Sequence, residues 1–228
     1  MTIEVSVISI GVLGAHPLWG EREAVRTGHS TTTLIRSGDA TIIVDPGLPG
    51  EILKARLGER VNLEPSAITH VFLTCFRPDV RRGLGLFDDA QWWISQSERE
   101  AVGVPMAESL KLALEMGKDE LAESLRADVA VLQRFEEAPD EIADKVSLFP
   151  LPGVTPGLTG LLVSEIQHTT LVCGDAVPTR DHLDQGKVLQ NSGDLDQARE
   201  SFAEAIEIAD LLVLGRDNLV VNPTKRPF

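Results

Sequence analysis

Only two cysteines, Cys75 and Cys173, occur in the 228 residues of the chain. That excludes a disulfide-stapled scaffold and fits a reducing compartment. Basic residues are scarce too: 21 Lys and Arg stand against 35 Asp and Glu, for a net charge of −14. So acidic a surface repels phosphate backbones, which excludes nucleic-acid binding driven by overall charge, though not a local basic pocket. No apolar run is long enough to span a bilayer, so no membrane association is expected. The first twenty residues carry an acid at Glu4 and lack the basic region, apolar stretch and cleavage layout of a secretory signal. There is no internal repeat, no low-complexity tract and no obvious linker. These absences lead to the expectation of a cytoplasmic protein that folds as a single domain over residues 1–228.

What is present is apolar patterning. The hydrophobic fraction of 43% is enough for a sizeable core. Strands are expected at Ile3–Leu13, in a hairpin over Thr31–Gly47, at Ile68–Thr74 and Ala90–Ser95, at Val146–Gly153, and in a second hairpin over Thr159–Ala176. Leu211–Gly215 reads as a last strand. Glu51–Leu57 reads as helix. The Ala-, Leu-, Glu- and Lys-rich stretch of about 98–137 predicts two or three helices with a break near Gly117. Asp194–Asp210 predicts an amphipathic helix capped by Asp194, with Leu195, Ala198, Phe202, Ile206 and Ala209 on one face. Strands come in two groups, each followed by helices. That order suits an α/β protein of two sheets with helices outside.

Five segments carry chemistry. "ITHVFLTCFRPDVRRGLGLF" is a buried strand running into a polar loop, and "IIVDPG" upstream is a strand ending in an acid. "LPGVTPGLTGLLV" and "LVCGDAV" follow in order, and "LVLGRDN" closes the set. Together they resemble the metallo-β-lactamase superfamily across most of the chain. The resemblance implies an αβ/βα four-layer sandwich, with the helical stretch of about 98–137 as an insertion. It also implies one or two metals, usually zinc, at one edge of the sheets. Carried over position by position, the first metal would draw on Cys75, Arg77 and Val154, and the second on Asp79, Val80 and Arg216. Asp175 would bridge them. Only Asp79 and Asp175 keep the residue that the family's pattern asks for.

The substitutions have physical consequences. Valine offers no donor, and a fixed guanidinium charge opposes a bound cation. Without a bound metal, water there is not acidified into hydroxide at neutral pH. Two carboxylates left facing one another would each raise the other's pKa. The expectation is therefore that Arg77 and Arg216 pair with Asp79 and Asp175 in place of metals. Arg77, Arg81 and Arg216 are the candidate contacts for a small acidic ligand. The expected cofactor is none, with zinc or another divalent metal only if the site has been rebuilt. A rebuilt hydrolase would use one metal on Asp79, Asp175, Cys75 and a loop histidine, with His16, His29 and His182 as the nitrogen donors at hand, or would use the Cys75 thiol itself. Cys75, Asp79 and Asp175 are thus the catalytic candidates of that alternative. The first reading is a pseudoenzyme with a small-molecule cleft. Apolar surface on the insertion makes a homo-oligomer conceivable.

Overall fold

The structure is a computed structural model and describes residues 3–225. Two sheets of six strands face one another. The first holds β1 (Glu4–Ser9), β2 (Thr32–Ser37), β3 (Ala40–Val44), β4 (His70–Leu73), β5 (Gln91–Ile94) and β6 (Glu136–Glu137), in that order. The second holds β7 (Glu141–Ala143), β8 (Val146–Pro150), β9 (Thr159–Ser164), β10 (Thr169–Val172), β11 (Leu211–Val213) and β12 (Leu219–Val221), in the order β12-β11-β10-β9-β8-β7. Each sheet is mixed. The pairs β3–β4, β4–β5 and β5–β6 are parallel in the first, and β10–β11 is parallel in the second. Parallel pairs need crossover connections, and α1 (Gly50–Val61) and α5 (Leu195–Ile208) supply two of them.

The period-two alternation of strand side chains builds the layers. Ile42, Val44, Phe72 and Trp93 of the first sheet meet Leu161, Val163, Val172 and Val213 of the second in one buried cluster. Their neighbours Ile43, Val71 and Leu73 point the other way and join Leu53 and Leu57 of α1. Leu171 and Leu212 join Phe202 and Ala205 of α5. The αβ/βα sandwich follows.

The helical stretch consists of α2 (Gln96–Glu115) and α3 (Asp119–Gln133). The break lies at Gly117, whose φ of 64° is open to glycine and costly for other residues. The pair leaves Val104, Leu112, Met116 and Leu121 exposed. Asp194 caps α5, accepting the Asp196 and Gln197 N–H groups at 3.0 Å. The buried face of α5 differs from the expected one. Ala198, Ser201, Phe202 and Ala205 are buried, whereas Leu195, beside the cap, is exposed. Three short strands (β6, β7 and β12) and the six-residue helix α4 (Arg180–Gln185) were not expected from periodicity, being too short to show one. Among the described residues no helix is long and apolar enough to cross a membrane.

Candidate functional site

The ends of β3, β4, β10 and β11 converge at one edge of the sandwich, with the 151–158 loop beside them. Gly215 makes the approach close, because a Cβ there would lie 2.3 Å from the Gly174 carbonyl oxygen. This contact brings Arg216 onto the loop that carries Asp175. Arg216 and Asp175 are 4% and 3% exposed, so both charges are essentially out of water. Arg216 donates Nε to Asp175 Oδ1 and Nη2 to Asp175 Oδ2, each at 2.7 Å. Its Nη1 donates to Asp79 Oδ2 at 2.5 Å. Arg77 donates Nη1 to Asp175 Oδ2 at 3.2 Å. Burial pushes the Asp175 carboxyl up, but Arg216 and then Arg77 overcome it and hold it below the usual carboxylate range. Burial likewise opposes the Arg216 charge, and the two carboxylates more than compensate.

These side chains floor a cleft of about 290 Å³. Leu13 to Ala15 and Pro17 form one wall, and Leu189, Gln190 and Asn191 form another. Three other positions expected from the resemblance to face a metal are buried packing. Cys75, Val80 and Val154 are 0%, 1% and 6% exposed and sit in the core cluster. Burial, followed by the nearby Asp175, Asp45 and Glu98, raises the Cys75 thiol well above its ordinary value. Cys173 is equally buried, and burial raises its thiol too.

Two buried acids brace the site from behind. Asp45 accepts the Thr74 N–H and hydroxyl at 2.8 and 2.7 Å, which ties the end of β3 to the end of β4. Burial lifts its pKa to about 7, even against those hydrogen bonds. Glu98 is fully buried. It accepts the Phe76 N–H at 2.9 Å, the Thr155 hydroxyl at 2.7 Å and the Gly157 N–H at 3.2 Å. It thereby clasps the loop of Cys75 and Arg77 to the loop of Val154. A Cβ on Gly157 would come within 2.0 Å of the Glu98 nitrogen, so this approach needs glycine. In sequence Glu98 stands at the start of the helical stretch, away from the five segments. Its only sequence signal was the Ser95 cap before it, which takes the Glu98 N–H.

Arg81 does not line the cleft: its Nη2 donates to Asp128 of α3 at 2.6 Å and its Nε to the Phe76 carbonyl at 3.3 Å. Its guanidinium also lies over the Phe76 ring, at 4.3 Å. Arg82 donates to the Gly28 carbonyl and Arg180 pairs with Asp184. The loop histidines separate. His29 lies 3.2 Å from the Ile10 carbonyl, in a different hollow against α1. His16 is buried and stacks on Trp19, with ring centres 4.1 Å apart. The Thr179 hydroxyl stands between His16 Nε2 at 3.2 Å and His182 Nδ1 at 2.7 Å. Trp19 Nε1 donates to Asp181 at 2.8 Å, so this cluster straps the 13–19 loop to the first turn of α4. Burial drives the His182 pKa down to about 4.

Residues 25–214 match the sequence pattern of the metallo-beta-lactamase superfamily. The chain belongs to that superfamily. Solved structures agree at the level of fold. A metallo-beta-lactamase-like protein of Thermotoga maritima is 20% identical with a TM-score of 0.68, over 97% of this chain and 100% of that one. The hydrolase AbOPH is 16% identical with a TM-score of 0.64, over 99% and 92%. AidC, a dizinc quorum-quenching lactonase, is 20% identical with a TM-score of 0.60, over 78% and 67%. No curated protein matches the chain.

The metallo-beta-lactamase fold implies zinc at this edge, and the residues here do not fit it. Val80 and Val154, where the superfamily resemblance would place donors, offer none, and the Cys75 thiol is buried in the core with its pKa raised. The Arg216 guanidinium takes up both Asp175 oxygens and one of Asp79. Among the described residues no three His, Cys, Asp or Glu side chains converge to hold an ion.

Proposed function

We propose that this metallo-beta-lactamase-fold protein is a pseudoenzyme that works without metal, its cleft serving to bind a small acid. The observation that carries the reading is the three-point contact of Arg216 with Asp175 and Asp79. A tethered guanidinium does there what a pair of cations would do electrostatically. It bridges two carboxylates in a poorly solvated place, and Arg77 supplies the second positive charge that balances them. It cannot do what a metal does chemically, since it has no open coordination position and cannot acidify a water. The hydrolytic chemistry named for AidC and AbOPH is therefore not carried over to this chain. The Cys75 thiol does not supply it either, being inaccessible and without a base in reach among its hydrogen-bond partners.

The test is elemental analysis of protein purified without chelator, repeated after dialysis against zinc and manganese. The expected result is far less than one metal per chain in both samples. Near-stoichiometric metal that disappears in Asp175→Ala would overturn the proposal in favour of a rebuilt hydrolase site.

A further inference from the structure

The four charged groups of the cleft are not equally spent. Arg216 commits Nε, Nη1 and Nη2 to carboxylates. Arg77 commits only Nη1, at 3.2 Å, to an oxygen that Arg216 already reaches at 2.7 Å. The Arg77 side chain is 33% exposed, and its Nε and Nη2 have no protein partner among the described residues. Asp79 gives Oδ2 to Arg216, and its Oδ1 has no protein partner among the described residues; its side chain is 27% exposed. Arg77 and Asp79 lie two positions apart on one loop, and both line the same cleft. Gln190 and Asn191 on the far wall bring carboxamides that make no hydrogen bond within the described protein.

Two arginines and two aspartates sum to zero charge, yet the cleft presents one free guanidinium edge and one free carboxylate oxygen. We propose that it binds a small carboxylic acid bearing an N–H or O–H donor on the adjacent carbon: an amino acid or a hydroxy acid. This rests on the metal-free reading above. The carboxylate takes the free edge of Arg77, whose fork matches it with two parallel hydrogen bonds. The adjacent donor satisfies Asp79 Oδ1. A plain carboxylate leaves that oxygen desolvated and unpaired, which costs affinity. A phosphate dianion sets its second charge against Asp79 and Asp175. The cleft of about 290 Å³ has room for a whole amino or hydroxy acid, with Gln190 and Asn191 able to donate or accept at its far end.

Titration calorimetry on the full chain tests this, with L-alanine, lactate, propionate and inorganic phosphate as probes. Alanine or lactate is expected to bind saturably, and propionate about tenfold more weakly for want of the donor. Binding of alanine alone assigns the donor to an ammonium, and of lactate alone to a hydroxyl; either supports the proposal. Arg77→Lys keeps the charge beside Asp175 but loses the fork, and should weaken the preferred probe by roughly tenfold. Asp79→Asn should abolish the preference over propionate, with folding checked by circular dichroism. Should Asp79→Asn fail to fold, probe selectivity and Arg77→Lys still decide. Equal binding of propionate, tighter binding of phosphate, undiminished binding in Arg77→Lys, or no binding by any probe overturns the proposal. Metal-free protein that binds none of the probes sinks this inference and leaves the metal-free reading standing. Stoichiometric metal sinks that reading itself.

Discussion

Arg216 grips Asp175 through two parallel hydrogen bonds, Nε to Oδ1 and Nη2 to Oδ2, both at 2.7 Å and both out of contact with water. Arg77 touches the same carboxylate once and from the solvent side. The two arginines are therefore unequal in energy. Arg216→Ala strands a buried carboxylate and should cost ~3–5 kcal/mol in urea unfolding. Arg77→Ala should cost less than about 1 kcal/mol, as partly exposed pairs do. Replacing Arg216 by Met together with Asp175 by Leu should recover much of the loss, because desolvation of both charges is then avoided. A double variant as unstable as Arg216→Ala would show that the site needs the charges for more than mutual neutralisation.

The two thiols give a second prediction. Cys75 and Cys173 are both 0% exposed, and burial raises both thiols. A thiol-reactive chromogenic disulfide should leave native protein untouched at neutral pH and titrate two thiols per chain after unfolding. Fast labelling of one thiol in native protein, lost in Cys75→Ser, would revive a cysteine-based reading.

Stability should depend on pH through His182. Its folded pKa of about 4 lies below the ordinary 6.5, so between those values the unfolded chain binds a proton that the folded chain does not. That contribution is whole above pH 6.5 and is lost as pH falls towards 4, by up to about 3 kcal/mol. Asp45 works in the opposite sense. Its pKa is raised from 3.8 to about 7, so it stays protonated when folded and costs stability as pH rises across that span. The two effects overlap, and a comparison isolates the first. His182→Asn keeps an acceptor for the Thr179 hydroxyl and removes the titration. Unfolding series from pH 8 to pH 4.5 should show the stability advantage of wild type over His182→Asn shrinking on acidification. A constant difference would mean that His182 does not titrate as stated.

Placing histidine at positions 75, 77, 80, 154 and 216 together should give zinc binding well above that of the wild-type chain. The carboxylates Asp79 and Asp175 are already in place, and the Arg216 charge is then gone. Calorimetry with zinc reads the outcome. A folded quintuple variant that stays metal-free would break the position-by-position correspondence with the superfamily.

The sequence by itself determined the layers and the line-up. Alternating apolar strands in two groups dictate two sheets. The segments carrying Asp45, Asp79, Asp175 and Arg216 name, through their resemblance to the superfamily, the strand ends that meet. Valine at positions 80 and 154, where the superfamily resemblance would place metal donors, was legible in the sequence. What only the tertiary structure decided is how each charge is spent. Asp128 lies 47 residues from Arg81, and no local pattern announces that it draws that arginine out of the cleft. Glu98 only opens the helical stretch in sequence, and the folded chain alone brings Phe76, Thr155 and Gly157 to its oxygens. His16 and His182 lie far apart in sequence and share one hydroxyl of Thr179 in space. Periodicity encodes which face of a strand or helix is dry, since that depends on neighbours a few residues away. The partner of a buried charge is a matter of long-range geometry, fixed only when the sheets have closed and water has left.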